Sequence, residues 1–204
     1  MVRVSTHPTV NHFSTKSGVD GRMSAYHRPR LPGASIFFTV RLEERGSTLL
    51  TDEIERLRMA VGVTRRERPF AIDAFVVLPD HLHCVWTMPE RDCDYSLRWG
   101  AIKARFTRSL RDACRVGFHP AVAKAEGKEV GWNPTLRRST SKIAKGDAGI
   151  WQRRFWEHHI RDEADYRAHV EYCWMNPVKH GFVEAPEDWP YSSVHRDRRM
   201  GLVA

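Results

Sequence analysis

The stretch Leu-Pro-Asp-His-Leu-His-Cys-Val-Trp, residues 78–86, sets His81 and His83 two apart inside an apolar run. In an extended strand residues i and i+2 share a face, so the two imidazoles project side by side and Leu82 goes to the opposite face. Two parallel imidazoles are half of a metal site. A strand edge can also carry histidines with no chemical role, so a third ligand separates the readings. Tyr172 and Asn176, at i and i+4 of a helical stretch, share one face, with His169 near the same stripe. Taken singly, Tyr172 reads most simply as a buried aromatic and Asn176 as a residue capping the turn before Pro177. Brought against the histidine strand, they would provide two imidazoles and an amide oxygen for a divalent cation, with positions left for phosphate oxygens. Imidazole with hard oxygen ligands suits Mn²⁺ or Mg²⁺ in phosphoryl chemistry better than a structural zinc. A tyrosine hydroxyl is a poor nucleophile at its free pKa of about 10, but beside a cation-held phosphate it needs only to be positioned.

The elements that must position these residues follow from periodicity. Residues 34–42, rich in aromatic and β-branched side chains, read as a strand. Residues 47–67 carry Leu50, Ile54, Leu57 and Val61 at helical spacing. Residues 69–79 and 81–89 read as two strands joined by the Leu78-Pro79-Asp80 turn, a hairpin. Residues 94–114 form a basic amphipathic helix with Leu97, Ile102, Phe106 and Leu110 on one stripe. The spacing predicts a last strand over 150–160 and then a helix over 162–176, capped by Asp162 and ended by Pro177. Strand, helix, strand, strand, helix, strand is the ferredoxin-like (RRM-like) βαββαβ order of an α+β antiparallel sheet, with one additional C-terminal helix carrying Tyr172.

Composition bounds the function. The chain has 204 residues, 41% of them hydrophobic, enough for one domain with a real core. No apolar run reaches the roughly 18 residues of a membrane span, and the polar N-terminus lacks the apolar segment of a secretory signal. A cytoplasmic protein without membrane contact is expected. Cys84, Cys93, Cys114 and Cys173 form no CxxC pair, which argues against a zinc knuckle or a disulfide framework. Net charge is +8 and arginine-rich, a balance that attracts phosphate polymers, although it also serves as a solubilising surface. Residues 1–33 read as a basic flexible arm, 34–198 as a single domain with a mobile insertion at 117–149, and 199–204 as a tail.

Three blocks carry a family resemblance: FVVLPDHLHCVW (75–86), SLRWGAIKARFT (96–107) and WQRRFWEHHIRDEADYRAHVEYCWMNPVKHGFVEAPEDWPYSS (151–193). Over residues 34–196 the chain resembles the REP-associated tyrosine transposases, single-tyrosine transposases of the HUH nuclease superfamily. The resemblance implies His81 and His83 as paired metal ligands, Asn176 as third ligand, where insertion-sequence relatives commonly have glutamine, and Tyr172 as nucleophile. It implies a ferredoxin-like fold, a divalent metal (Mg²⁺ or Mn²⁺) and no nucleotide cofactor. The implied reaction is cleavage and rejoining of single-stranded DNA at repetitive extragenic palindromic (REP) hairpins through a 5′-phosphotyrosine, by a monomer or homodimer. Lys103, Arg105, Arg153, Arg154 and Lys179 are candidates to track phosphates. Trp151, Trp156 and Trp174 can stack bases or fill a core, and His158, His159 and His180 are alternative ligands without the strand-paired geometry. Two other classes fit parts of the pattern: a hairpin-binding module that does not cut, and a small-molecule metal hydrolase, which leaves Tyr172 and the basic surface unused.

Overall fold

Alternation along the first strand divides the protein into two layers. The computed structural model describes residues 29–115 and 149–201. Within them run β1 (Ser35–Arg41), a short α1 (Leu49–Asp52), α2 (Ile54–Glu67), β2 (Ala71–Val77), β3 (His81–Thr87), α3 (Tyr95–Arg115), β4 (Trp156–His159), α4 (Glu163–Lys179) and α5 (Val194–Arg199). Ile36, Phe38 and Val40 of β1 and Leu82, Cys84 and Trp86 of β3 face the larger core, filled by Leu57 of α2 and Trp99, Ile102 and Phe106 of α3. Phe37, one residue out of phase, faces the other side with Ala74, Val76 and Val85, where Val170 and Cys173 of α4 cover them. Each large apolar side chain so buried contributes about 1.5–3 kcal/mol.

The sheet order is β2-β3-β1-β4 with every pair antiparallel, the expected ferredoxin-like arrangement followed by the extra helix α4. The hairpin joining β2 to β3 closes through the Leu78 amide on the His81 carbonyl at 2.8 Å, with Pro79 in the turn, where its missing N–H costs no ladder bond. Beyond α4 the chain returns along the outer edge of β2. The Val77 amide donates to Tyr191 O and the Ser193 amide to Phe75 O, at 2.9 and 2.7 Å. Arg196 adds bonds to the carbonyls of Ile72 and Asp73. An edge that would otherwise offer unpaired backbone groups is thereby covered.

Three expectations need correction. The strand over 150–160 shrinks to Trp156–His159: Trp151 makes an isolated bridge to Leu42, and the chain leaves the β1 ladder where the consecutive exposed arginines Arg153 and Arg154 turn to solvent. The helix over 47–67 is interrupted at Glu53, which separates α1 from α2. Pro177 does not end α4 but lies within it, since the helix runs on to Lys179. Proline there forgoes a bond to the Cys173 carbonyl, but it sits in the last turn and is buried beside Asn176, so packing outweighs the loss. Residues 1–28 of the expected arm, 117–148 of the insertion and 202–204 of the tail lie outside the described residues. Among the described residues no helix is long and apolar enough to cross a membrane.

Candidate active site

His81 and His83 stand on the α4 face of β3, with ring centroids 5.0 Å apart, while Leu82 enters the opposite core as alternation requires. Each ring is oriented through Nδ1. Asp80 Oδ1 lies 2.5 Å from His81 Nδ1, and Thr39 Oγ1 lies 2.9 Å from His83 Nδ1. A carboxylate accepting from Nδ1–H leaves the lone pair on Nε2 of His81, the tautomer a metal ligand needs. Burial pushes both imidazoles below the ordinary histidine range, the more deeply buried His83 well below, with the positive charge of His81 and Arg41 adding to the effect. His83, 3% exposed, is therefore neutral at physiological pH. Burial alone would raise the Asp80 carboxyl, but bonds from His81 and the Gly46 amide bring it below the usual carboxylate range.

Helix α4 supplies the other half. Asp162 caps it, its side chain accepting from the Asp165 amide at 2.8 Å, as the sequence led us to expect. Val170, Cys173, Asn176 and Pro177 form its buried stripe. Tyr172 reaches the histidines: its ring meets His83 edge-on at 5.2 Å and Phe37 at 5.7 Å. Lys179 Nζ lies 5.2 Å over the tyrosine ring. Asn176 is 1% exposed, and neither its Oδ1 nor its Nδ2 has a partner among the described residues; His81 Nε2 is likewise buried and unpaired. Unpaired buried polar atoms are costly. An imidazole nitrogen and a primary amide left this way are the kind of lone-pair groups a divalent cation would satisfy.

The remaining candidates divide. Arg153 and Arg154 are exposed ahead of β4. Lys103 and Arg105 belong to α3, across the sheet from Tyr172. Lys103 Nζ donates to Gln152 O at 2.9 Å and lies over the rings of Trp151 and Phe155, while Arg105 bonds Thr64 Oγ1 and Glu67 Oε2. Trp151 is buried and Trp174 donates to Asp197, so only Trp156 of the three tryptophans is largely exposed. His180, just past α4, stands 5.3 Å from the His81 ring, closer than its sequence position suggested. Thr39 and Asp80 escaped sequence reasoning. Asp80 adjoins His81 in the turn, so chain adjacency could have found it, and Thr39 shares the phase of Phe37 on β1, so alternation could have found it.

His158, Asp165 and His169 also group their ligand atoms within 4.8 Å of one another. Here the donors are already used. Asp165 accepts from His158 Nε2, from the Arg161 amide and from Arg161 Nε, and His169 Nδ1 contacts the Asp165 carbonyl at 2.8 Å. Burial would raise the Asp165 carboxyl, yet those hydrogen bonds hold it at about 2. The cluster ties the first turns of α4 to β4, whereas His81 Nε2 and the Asn176 amide have no partner among the described residues.

Comparison with known proteins finds related chains. A REP-associated tyrosine transposase of Escherichia coli (strain K12) is 44% identical over 180 residues, 88% of each chain. A second relative, from Haemophilus influenzae, is 41% identical over 175 residues, covering 86% of this chain and 88% of its own. A solved structure of a REP-associated tyrosine transposase bound to a REP hairpin matches with TM-score 0.68 and 42% identity, covering 89% of each chain. No family model matches.

Proposed function

The chain belongs to the REP-associated tyrosine transposases, and on that premise we propose that it cleaves and rejoins single-stranded DNA at REP hairpins, with Tyr172 as the attacking group. The observation that carries this reading is the placement of the Tyr172 ring 5.2 Å from His83, on the sheet face where His81 Nε2 and the Asn176 amide are buried without partners. The hairpin bound by the solved relative supports the same substrate here.

Tyr172 Oη attacks the phosphorus of a phosphodiester, the bond to the 3′ oxygen breaks, and the phosphate stays on the 5′ side as a phosphotyrosine. The phenolic proton is lost and the departing 3′ oxygen gains one, so the products are a covalent 5′-phosphotyrosyl DNA and a free 3′-hydroxyl. One ester replaces another, so no nucleotide cofactor is needed, and a 3′-hydroxyl attacking the phosphotyrosine restores both the strand and the tyrosine. His81, His83 and Asn176 would hold a divalent cation, Mg²⁺ or Mn²⁺, which polarises the phosphate and offsets charge developing on it. Asp80 and Thr39 fix the histidine rings, and Phe37 fixes the tyrosine against them. Lys179, over the tyrosine ring, holds positive charge where the phosphate must lie, and Arg153 and Arg154 extend that charge along the strand. Lys103 and Arg105 are assigned instead to anchoring α3.

Incubating wild type and Tyr172→Phe with labelled REP hairpins in Mn²⁺ or EDTA, followed by a denaturing gel, tests this reading. A slowed, metal-dependent DNA band with wild type alone is expected. Tight hairpin binding without any band would make the protein a non-cutting hairpin-binding module.

A further inference from the structure

We propose that Trp156 is a stacking platform for a nucleobase beside the scissile phosphate, an inference that rests on the DNA-cleaving role above. Among the three tryptophans with a plausible base-stacking role, Trp156 alone stands on the sheet surface: it is 48% exposed, on the edge strand β4.

Register fixes where that partner lies. His83 of β3 is paired with Thr39 of β1, and Thr39 with Trp156 of β4. The three side chains therefore form one cross-strand row on the α4 face, and Trp156 stands two strand spacings, about 10 Å, from the metal-ligand candidate His83. Phe37 links the two ends, meeting the Trp156 ring edge-on at 5.7 Å and the Tyr172 ring at 5.7 Å. A DNA strand whose phosphate lies against Tyr172 can bring a neighbouring base over Trp156.

The surroundings are built to hold that ring. Trp156 and His158 are parallel within 8°, and His158 stacks on His169 with centroids 4.6 Å apart. His158 is fixed by Asp165 at 2.8 Å and His169 by the Asp165 carbonyl at 2.8 Å. This assigns a use to the His158–Asp165–His169 cluster: it backs the indole so that little side-chain freedom is lost when a base stacks on it. Arg153 and Arg154, exposed just before Trp156, supply charge for the flanking phosphate. Single-stranded binding sites combine these two parts, an aromatic face for the base and cations for the backbone.

The test is a binding series on the full chain in EDTA, using REP hairpins whose single-stranded flank carries an abasic site moved one nucleotide at a time. Wild type should lose about tenfold in affinity at one position close to the cleaved bond. Trp156→Ala should lose a similar factor on the intact hairpin and be indifferent to the abasic site at that position, whereas Trp156→Phe should recover much of the affinity and the positional sensitivity. Equal affinities for wild type and Trp156→Ala, or a loss in Trp156→Ala that is the same at every abasic position, would overturn the platform while leaving the covalent adduct at Tyr172 intact. If wild type neither binds the hairpin nor forms the adduct, the cleavage reading and the platform fall together.

Discussion

Replacing Asn176 with leucine should stabilise the metal-free protein and abolish its response to metal. The amide is 1% exposed with neither polar atom paired among the described residues. Leaving such a group buried costs about 1–3 kcal/mol in proteins, and leucine has nearly the same shape without the polar atoms. For a chain of this size about 1 kcal/mol moves Tm by roughly 2–4 °C. Asn176→Leu should therefore raise Tm in EDTA by roughly 2–12 °C. Wild type in Mn²⁺ at about 100 times its Kd should gain about 2.7 kcal/mol from binding, and the variant should gain little. Mn²⁺ should then shift the stability difference by about 2.7 kcal/mol towards wild type, reversing the order wherever leucine gains less than that, which scanning calorimetry in the two buffers reads directly. A variant less stable than wild type in EDTA, or equally stabilised by Mn²⁺, would refute the view that Asn176 is held in readiness for a cation.

Three further outcomes follow from particular contacts. Arg153→Gln and Arg154→Gln should each reduce the slope of log affinity against log salt by about 1, whereas Lys103→Met should leave that slope unchanged and lower stability through its lost bond to Gln152; hairpin titrations over a salt series distinguish them. Asp165 has a folded pKa of about 2 against 3.8 for the ordinary group, so its contribution to stability is complete above the higher value and is lost as pH falls towards the lower one. Asp165→Asn should lose that contribution at neutral pH and flatten the acid limb, as urea midpoints measured across pH will show. Arg196→Ala should cost about 1–3 kcal/mol by stripping charged donors from the Ile72 and Asp73 carbonyls, with Tyr172 adduct formation on hairpin DNA unchanged once the protein is folded.

Much of the site was legible because β-strands alternate and helices repeat. The spacing of His81 and His83 fixed their common face, and i, i+4 spacing put Tyr172 and Asn176 on one side of α4. The ferredoxin-like order also followed from element types alone. What local pattern could not supply was tertiary: Lys103 and Arg105 look like any exposed cations on an amphipathic helix, yet α3 packs on the far layer and turns them to Gln152 and Glu67. Pro177 looked like a helix terminator because its cost is local, while the packing that outweighs it is not. The shortening of the last strand has the same origin, since aromatic and β-favouring residues surround Arg153 and Arg154 but the ladder to β1 does not run through them. The Trp-Pro-Tyr-Ser-Ser segment offered no sign that its backbone would cover the edge of β2, a role set by long-range pairing of Tyr191 and Ser193 with Val77 and Phe75.

The most direct test of the central claim is to digest the protein–DNA adduct with nuclease and protease and sequence the modified peptide by mass spectrometry. The expected product is a nucleotide joined through its 5′ phosphate to Tyr172, formed only with divalent metal and absent from Tyr172→Phe. A nucleotide found on another residue, or an adduct that persists in Tyr172→Phe, would contradict it.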